Sequence, residues 1–234
     1  SVLMSGARTQ NLALEITANN ISNANTHGFK AERLAFEEVL KESEDGLQMA
    51  QESQVKLAGN YTDFRQGIMD KTGNPLDLAI AGEGFFVVNT PAGERYTRAG
   101  SFKISNDGYL VNTDGHRVQG ESGDIDLKDA RGLRVDHEGN VTKRGRLLDK
   151  VRVVNFTDTQ KIEREGHNLW VNPPTNEVVE SKTSVKSGWL EKSNVNAIHS
   201  MTNMIQISRL YEMFMKGIQT FQKIDAKTSQ QLGR

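Results

Sequence analysis

Cysteine is absent from the 234 residues of the chain, which excludes thiol catalysis, disulfide bonds and thiolate metal ligands. An excess of charge of one sign is lacking too, since 29 Lys and Arg against 30 Asp and Glu give a formal net charge of -1. Such a balance creates no general attraction to nucleic acid or to an anionic membrane. The one tight basic cluster, at Lys143, Arg144 and Arg146, is interpreted as a solvated turn. We therefore predict no nucleic-acid partner.

Long hydrophobic runs are also missing. No window approaches the ~18 consecutive apolar residues of a transmembrane helix, and hydrophobic residues make up only 36% of the chain. The first six residues, Ser-Val-Leu-Met-Ser-Gly, lack the basic and apolar regions of a secretory signal. If the protein leaves the cytoplasm, we expect a different export route or a signal removed beforehand. Part of its surface is expected to be extended, or buried only in an assembly.

Motifs of catalysis and metal binding are scarce. No two of the five histidines lie four residues apart, and neither a phosphate-binding loop nor a nucleophile elbow occurs. Residues 82–84, Gly-Glu-Gly, are interpreted as a turn between strands, because two phenylalanines follow and no helix opens. The acidic residues of 124–129 do not form a calcium loop, since Asp129 and Val135 replace the required Gly and Glu. We predict no enzymatic activity, no cofactor, no metal and no small-molecule substrate.

The N-terminal region, from Ser1 to about Ala35, is predicted to be helical with an interruption near residues 23–28. Its apolar residues recur on one helical face: Leu3, Ala7, Leu14, Ala18 and Ile21. Glu15 is the only charged residue between positions 9 and 29, which indicates burial among protein neighbours. Asn19 and Asn20 either cap the helix end or hydrogen-bond to neighbouring subunits.

The middle region, from about Leu40 to Lys192, alternates short apolar runs with turn dipeptides such as Asp107-Gly108 and Asp114-Gly115. Turns of this kind join antiparallel strands. The predicted strands lie at residues 76–80, 85–88, 96–104, 109–111, 151–156 and 169–171. Their short spacing predicts an antiparallel sandwich or a barrel-like fold.

The C-terminal region, from Val195 to about Leu232, has the strongest periodicity in the chain. Apolar residues spaced 3, 4, 3, 4 and 3 apart form a heptad seam: Met204, Ile207, Tyr211, Phe214, Ile218 and Phe221. Ser193 and Asn194 are predicted to cap the helix. Such a helix needs a partner surface, which is the N-terminal helix, another subunit, or both.

The predicted fold class is α+β, with terminal helices that pair as a coiled-coil-like core around an inserted all-β domain. The expected divisions are an N-terminal assembly helix and cap, an extended or hairpin connection, the β-rich domain and a C-terminal assembly helix: residues 1–35, 36–71, 72–192 and 193–234. The residues themselves indicate a structural, self-assembling protein. An exported cell-wall-binding module or enzyme, and a soluble coiled-coil adaptor, are the alternatives.

Three segments carry a family resemblance that covers about half of the chain. They are residues 16–30 (ITANNISNANTHGFK), residues 72–86 (TGNPLDLAIAGEGFF) with their continuation at 96–102 and 107–111, and residues 209–220 (RLYEMFMKGIQT). In this order they resemble the signatures of the bacterial flagellar rod and hook proteins. Within that family, residues 4–7 and 188–195 are similar to the proximal rod type. The stretch from Lys41 to Lys71 looks shorter than its distal-rod counterpart, and the distal type is the alternative.

The resemblance implies a structural subunit of the flagellar basal-body rod, a helical shaft that crosses the periplasm and transmits torque from motor to hook. Its partners would be copies of itself, other axial proteins and, during secretion, the flagellar export apparatus, with no cleaved signal peptide. The terminal helices would order on assembly. The two apolar faces, together with Asn19 and Asn20, would then form the assembly interface.

Overall fold

The computed structural model describes residues 2–40, 53–128, 131–181 and 183–232. It confirms the α+β class, with an N-terminal helix, a β-rich centre and a C-terminal helix. The chain divides into two compact units. The helical unit comprises residues 1–22, 32–63 and 196–234, and the β unit comprises residues 23–31 and 64–195.

The described part of the helical unit contains two helices and one hairpin. Its helices are α1 (Val2–Ser22) and α2 (Ala197–Leu232), and its strands are β1 (Glu32–Leu40) and β2 (Ser53–Thr62). The strands pair antiparallel, from Glu32 opposite Thr62 to Leu40 opposite Ser53, with an irregularity between Ala35 and Phe36. The predicted connection therefore contains a hairpin, and the part of it at residues 41–52 lies outside the described residues.

The end of α1 and the start of α2 differ from the predicted boundaries. The helix α1 ends at Ser22, because Thr26 turns back to donate its backbone N–H to the carbonyl of Asn23 at 3.1 Å. The interruption predicted near residues 23–28 is therefore the end of the helix, and a strand follows it. The helix α2 begins at Ala197, where the Asn196 side chain accepts the backbone N–H of His199 at 3.0 Å. Asn196, and not the predicted Ser193 and Asn194, is therefore the N-cap.

The described residues of the β unit form short strands and one 3-10 turn at Thr159–Lys161. The strands are β3 (Met69–Lys71), β4 (Leu78–Ala81), β5 (Phe85–Thr90), β6 (Gly93–Thr97), β7 (Lys103–Ile104), β8 (Leu110–Val111), β9 (Arg117–Gly120), β10 (Gly123–Asp124), β11 (Leu133–Val135), β12 (Asn140–Lys143), β13 (Arg146–Lys150), β14 (Val153–Phe156), β15 (Glu163–Gly166), β16 (Leu169–Val171), β17 (Val178–Glu180), β18 (Ser184–Ser187) and β19 (Trp189–Glu191).

One large antiparallel sheet dominates the β unit. Its main path runs β15-β16-β6-β5-β9-β8-β7, with β10 paired to β9, β14 paired to β5 and β17 paired to β14. A three-stranded sheet, β11-β12-β13, and two strand pairs, β18-β4 and β19-β3, complete it. The turn at residues 82–84 joins β4 to β5, as predicted.

Strand β5 is the centre of the core because both of its faces are buried. Phe86 and Val88 belong to one hydrophobic cluster, while Phe85 and Val87 belong to another that includes Trp170. This burial on both sides explains the continuous apolar run at residues 85–88.

The predicted strand at residues 96–104 is divided into β6 and β7. Between them the carbonyl of Gly100 accepts the backbone N–H of Leu78 at 2.9 Å. A Cβ on Gly100 would lie 1.6 Å from the Leu78 oxygen, so the backbones approach closely at a position that only glycine fits.

Candidate assembly interface

The helices α1 and α2 pack against each other in opposite directions. Near the start of α1, a Cβ added to Gly6 would lie 2.7 Å from Cε1 of Phe214. Near its other end, Ala18 lines the same groove as Met201. The absence of a side chain at Gly6 therefore lets the Phe214 ring lie close to the α1 backbone.

All residues of the predicted seam of α2 except Phe221 lie on the side that packs on α1. Half-buried positions are Met204, Ile207, Tyr211, Phe214 and Ile218. Phe221 is exposed. The seven residues from Phe214 to Phe221 span ~10 Å, whereas the four from Gly6 back to Val2, the first described residue of α1, span only ~6 Å. Phe221 therefore extends past the described part of α1.

The predicted face of α1 is only partly buried. Ala7 is buried, Leu14, Ala18 and Ile21 are half-buried, and Leu3 lies within α1. The fully buried positions toward its C-terminal half are instead Ala13, Ile16 and Asn20. Their spacing of 3 and 4 is also helical. Because this stripe contains the polar Asn20, the hydrophobic pattern instead indicated the neighbouring stripe, which is purely apolar.

The side chain of Asn20 is engaged within the chain. Its Nδ2 donates to the carbonyl of Glu32 at 2.8 Å, and its Oδ1 accepts the backbone N–H of Glu32 at 3.0 Å. The amide thus takes the place of a strand partner and fixes the end of α1 to the start of β1. Asn19 faces outward and is exposed. Of the predicted pair, Asn20 therefore has a role close to helix-end capping.

An apolar groove lies open between the two helices. Its apolar lining includes Leu14, Ala18, Met201, Met204 and Ile205, and its volume is about 870 Å³. Glu15, Arg209 and Glu212 also line it. Three residues of the predicted interface, Leu14, Ala18 and Met204, therefore border a surface that α1 and α2 do not close.

A second apolar face, of which sequence reasoning identified only Phe221, lies on the solvent side of α2. We call it the outer face and define it by Leu210, Met213, Phe221 and Ile224, whose exposed fractions lie between 43% and 66%. With Gly217 between Met213 and Phe221, the spacing is 3, 4, 4 and 3, which keeps one side of a helix. Exposed apolar surface of this extent is typical of an interaction site.

Residues 23–31, here called the docking segment, bind inside the β unit. Phe29, Lys30 and Ala31 are buried. The backbone N–H of Gly28 donates to the carbonyl of Glu191 at 2.8 Å, and that of Ala31 to Oδ1 of Asn194 at 2.8 Å. The most recognisable N-terminal motif, Gly-Phe-Lys, is therefore an intramolecular contact in this structure.

A buried ionic cluster holds the docking segment. Lys30 Nζ lies 2.6 Å from Oε1 of Glu191 and donates to the carbonyl of Arg65 at 2.9 Å. Nη1 of Arg98 lies 3.6 Å from the other oxygen of Glu191. Burial lowers the pKa of the Arg98 guanidinium, while the charges of Glu191 and Glu83 act to raise it. The cluster links three segments that are far apart in sequence.

Arg164 also contacts the docking segment. Its guanidinium lies 4.5 Å from the centre of the Phe29 ring, and its Nη2 donates to the carbonyl of Lys30 at 2.6 Å. Nδ2 of Asn168 donates to the carbonyl of His27 at 3.0 Å. His27 therefore contributes to the fold through its backbone.

Neither a metal site nor a membrane span occurs in the described part of the chain. Within it, no group of three or more His, Asp or Glu side chains could hold a metal ion. No described helix has both the length and the apolar character needed to cross a membrane.

Three family models match the chain in order. Residues 1–30 match the flagella basal body rod protein model, residues 79–143 match the flagellar hook protein FlgE/F/G D1 domain, and residues 186–231 match the flagellar basal body rod FlgEFG protein C-terminal model. The first and last matches contain most of the described α1 and α2.

Whole-chain relatives agree with these models. The flagellar basal-body rod protein FlgF of Caulobacter vibrioides is 34% identical over 228 residues, which cover 94% of this chain and 92% of the relative. FlgF of Mesorhizobium japonicum is 31% identical, and the alignment covers 85% of this chain and 83% of the relative. FlgG of Caulobacter vibrioides is 31% identical over 253 residues, with 97% and 96% covered.

Terminal helices with unpartnered apolar faces, on either side of a β-rich centre in the sequence, define a structural subunit of an axial assembly. The chain belongs to the flagellar basal-body rod protein family, whose FlgF and FlgG branches both resemble it at about this level of identity.

Proposed function

We propose that this chain is a structural subunit of the proximal rod of the bacterial flagellum, which joins copies of itself and other axial proteins through α1 and α2. The observation that carries the proposal is the outer face of α2. Burying an apolar side chain of this size contributes ~1.5–3 kcal/mol, so the four exposed residues represent a large unused driving force for association. Of the interface residues predicted from the sequence, Phe221 belongs to this face, and Leu14, Ala18 and Met204 line the open groove between the helices.

The proximal type is favoured over the distal type by the gaps that the two alignments need. The FlgG alignment extends over 253 positions, more than the 234 residues of this chain, so it needs gaps here. The FlgF alignment from the same organism extends over 228 positions. Among the relatives, FlgF and FlgG alike are named flagellar basal-body rod proteins. The distal type is the second candidate.

The proposal includes the route and the location. The subunit reaches the basal body through the flagellar export apparatus without a cleaved signal peptide, and its rod crosses the periplasm and transmits torque. It has no catalytic role and no nucleic-acid partner. Its balanced net charge and the structural role named for its relatives support this view.

Complementation tests the proposal. A strain that lacks this chain should be non-motile, and the wild-type chain should restore motility and appear in purified basal bodies. Leu210→Asp combined with Met213→Asp should abolish both, because two carboxylates on the outer face oppose its burial. Gln219→Asp, on an exposed position of another face of α2, is the matched control and should leave motility intact. Full motility with the double substitution would contradict the proposal.

A further inference from the structure

Several described strands of the β unit pair with only one other strand, and two of them are β13, which pairs with β12, and β17, which pairs with β14. At the end of β13 the carbonyl of Lys150 already accepts the backbone N–H of Glu121 at 2.9 Å, so the open part of that edge lies nearer to Arg146. Free edges usually carry devices that prevent pairing with other chains. Here each edge instead carries two adjacent exposed apolar residues. Leu147 and Leu148 are 59% and 39% exposed, and Val178 and Val179 are 37% and 46% exposed.

The exposure of both leucines follows from a β-bulge. Val141 pairs with Asp149 and Thr142 pairs with Leu147, so Leu148 is an extra residue on β13. A bulge re-aims a side chain that strict alternation would turn to the other face. On β17, Val179 lies opposite Asn155 and Val178 opposite Phe156, and both valines are exposed because the sheet ends there.

The two edges carry opposite charge. Arg144 and Arg146 are exposed at the start of β13, and neither forms an ion pair with another described residue. Glu177 and Glu180 flank the two valines and are exposed, again without an ion pair in the described ranges. Glu83 adds a third carboxylate near β17. Its Oε2 accepts from Nδ2 of Asn155 at 3.3 Å, and Asn155 lies opposite Val179.

Opposite charges across paired strands stabilise a sheet, whereas like charges destabilise it. Two basic edges or two acidic edges would therefore repel each other. A basic edge beside an acidic edge brings Leu147 and Leu148 against Val178 and Val179, with arginines facing glutamates.

We propose that β13 of one copy of this chain pairs with β17 of the next copy. This contact rests on the proposed function, because it adds a contact between the β units of neighbouring rod subunits. It joins two different surfaces and is therefore heterologous, so repetition leads to a ring or a helical array. Backbone hydrogen bonds between the edges would supply affinity, and the charges would set the partner.

The lack of native cysteine makes a thiol cross-linking test specific. Two tagged variants, Leu147→Cys and Val179→Cys, are produced together in one strain, and its purified basal bodies are oxidised. We expect a disulfide-linked dimer that contains both tags and that neither variant forms alone. Leu147→Cys together with Lys71→Cys, an exposed position on β3, is the matched control.

Charge reversal supplies the second arm. Arg146→Glu in the Leu147→Cys chain should lower the dimer yield by up to about fivefold, the scale of one opposite-charge cross-strand pair. Glu180→Lys in the Val179→Cys chain should restore it, because an antiparallel pairing that places Leu147 opposite Val179 places Arg146 opposite Glu180. A mixed dimer no more abundant than in the Lys71 control would overturn the strand pairing while leaving the rod assignment intact. If the wild-type chain itself were missing from basal bodies, both proposals would fall.

Discussion

Lys30 and Glu191 are 161 residues apart in the sequence, yet Nζ of one lies 2.6 Å from Oε1 of the other in the interior of the β unit. Their side chains are almost completely inaccessible to solvent. Glu191 also accepts the backbone N–H of Gly67 at 2.8 Å. This pair therefore fixes the docking segment to β19 at the C-terminal end of the β unit.

Lys30→Met should strongly destabilise the β unit. The substitution keeps the length of the side chain but leaves a buried carboxylate without its nearest cation, which typically costs ~3–5 kcal/mol. Urea unfolding followed by Trp fluorescence measures the loss, since Trp170 lies in the β core. Lys192→Met is the control, because it removes an exposed pair with Asp70 at 3.0 Å, worth less than ~1 kcal/mol. Equal losses for the two variants would refute a structural role for the buried pair.

Gly28→Ala should displace the docking segment. Gly28 has a φ of +71°, and a Cβ there would lie 2.4 Å from the backbone N of Ala99. Gly115 has a similar φ of +89° but open space around its Cβ position. Both substitutions incur ~1–2 kcal/mol for the left-handed backbone, and only Gly28→Ala adds a clash. Equal free energies of unfolding for the two variants would mean that the close approach is unimportant.

Gly6→Val should separate α1 from α2, because its side chain occupies the space of the Phe214 ring. Met4→Val places the same residue at an exposed position of the same helix and controls for helix propensity. The helical far-ultraviolet signal and its melting temperature are the measurements. Adding Phe214→Leu, which shortens the opposing side chain, should recover part of the loss. No difference between Gly6→Val and Met4→Val would contradict the helix packing.

Much of this arrangement was predictable from periodicity. The heptad seam of α2 up to Ile218 and the apolar run of β5 reflect local repeats that any packed helix or buried strand requires. The turn at residues 82–84 was likewise predictable, because two phenylalanines follow Gly84 and no helix opens there.

Long-range contacts were not predictable in this way. Nothing local to Lys30 indicates a partner at Glu191, because the topology of the β unit brings them together. Most of the outer face of α2 was missed for a different reason: Leu210 and Met213 follow a second helical stripe beside a stronger one. Asn196 is the cap because the two polar residues before it are engaged elsewhere. Ser193 Oγ accepts the backbone N–H of Val195 at 3.2 Å, and Asn194 Oδ1 accepts that of Ala31 at 2.8 Å.

Ile218→Asp should disrupt the helical unit while leaving the β unit folded. Ile218 is half-buried on the side of α2 that packs on α1, and a carboxylate there opposes burial. We expect loss of helical signal and of motility, with unchanged urea unfolding of Trp170. Gln219→Asp adds the same charge at an exposed neighbouring position and should have little effect. Retained motility in the Ile218 variant would show that this face is not needed for assembly.

Backbone hydrogen exchange should distinguish the free chain from the assembled one. Along α2 most positions from Met201 to Ile224 are exposed or half-buried, so few buried contacts oppose local opening. We expect α2 to be helical but to exchange faster than β5 in the dilute monomer, and to be strongly protected in basal bodies. Equal protection of α2 in both states would contradict ordering on assembly.

The most direct test of the account is electron cryomicroscopy of basal bodies from cells that carry this chain. We predict density for the chain in the proximal rod, with Leu210, Met213, Phe221 and Ile224 buried against a neighbouring axial subunit. A complete rod in cells that lack the chain, or density for the chain with this face open to solvent, would contradict it.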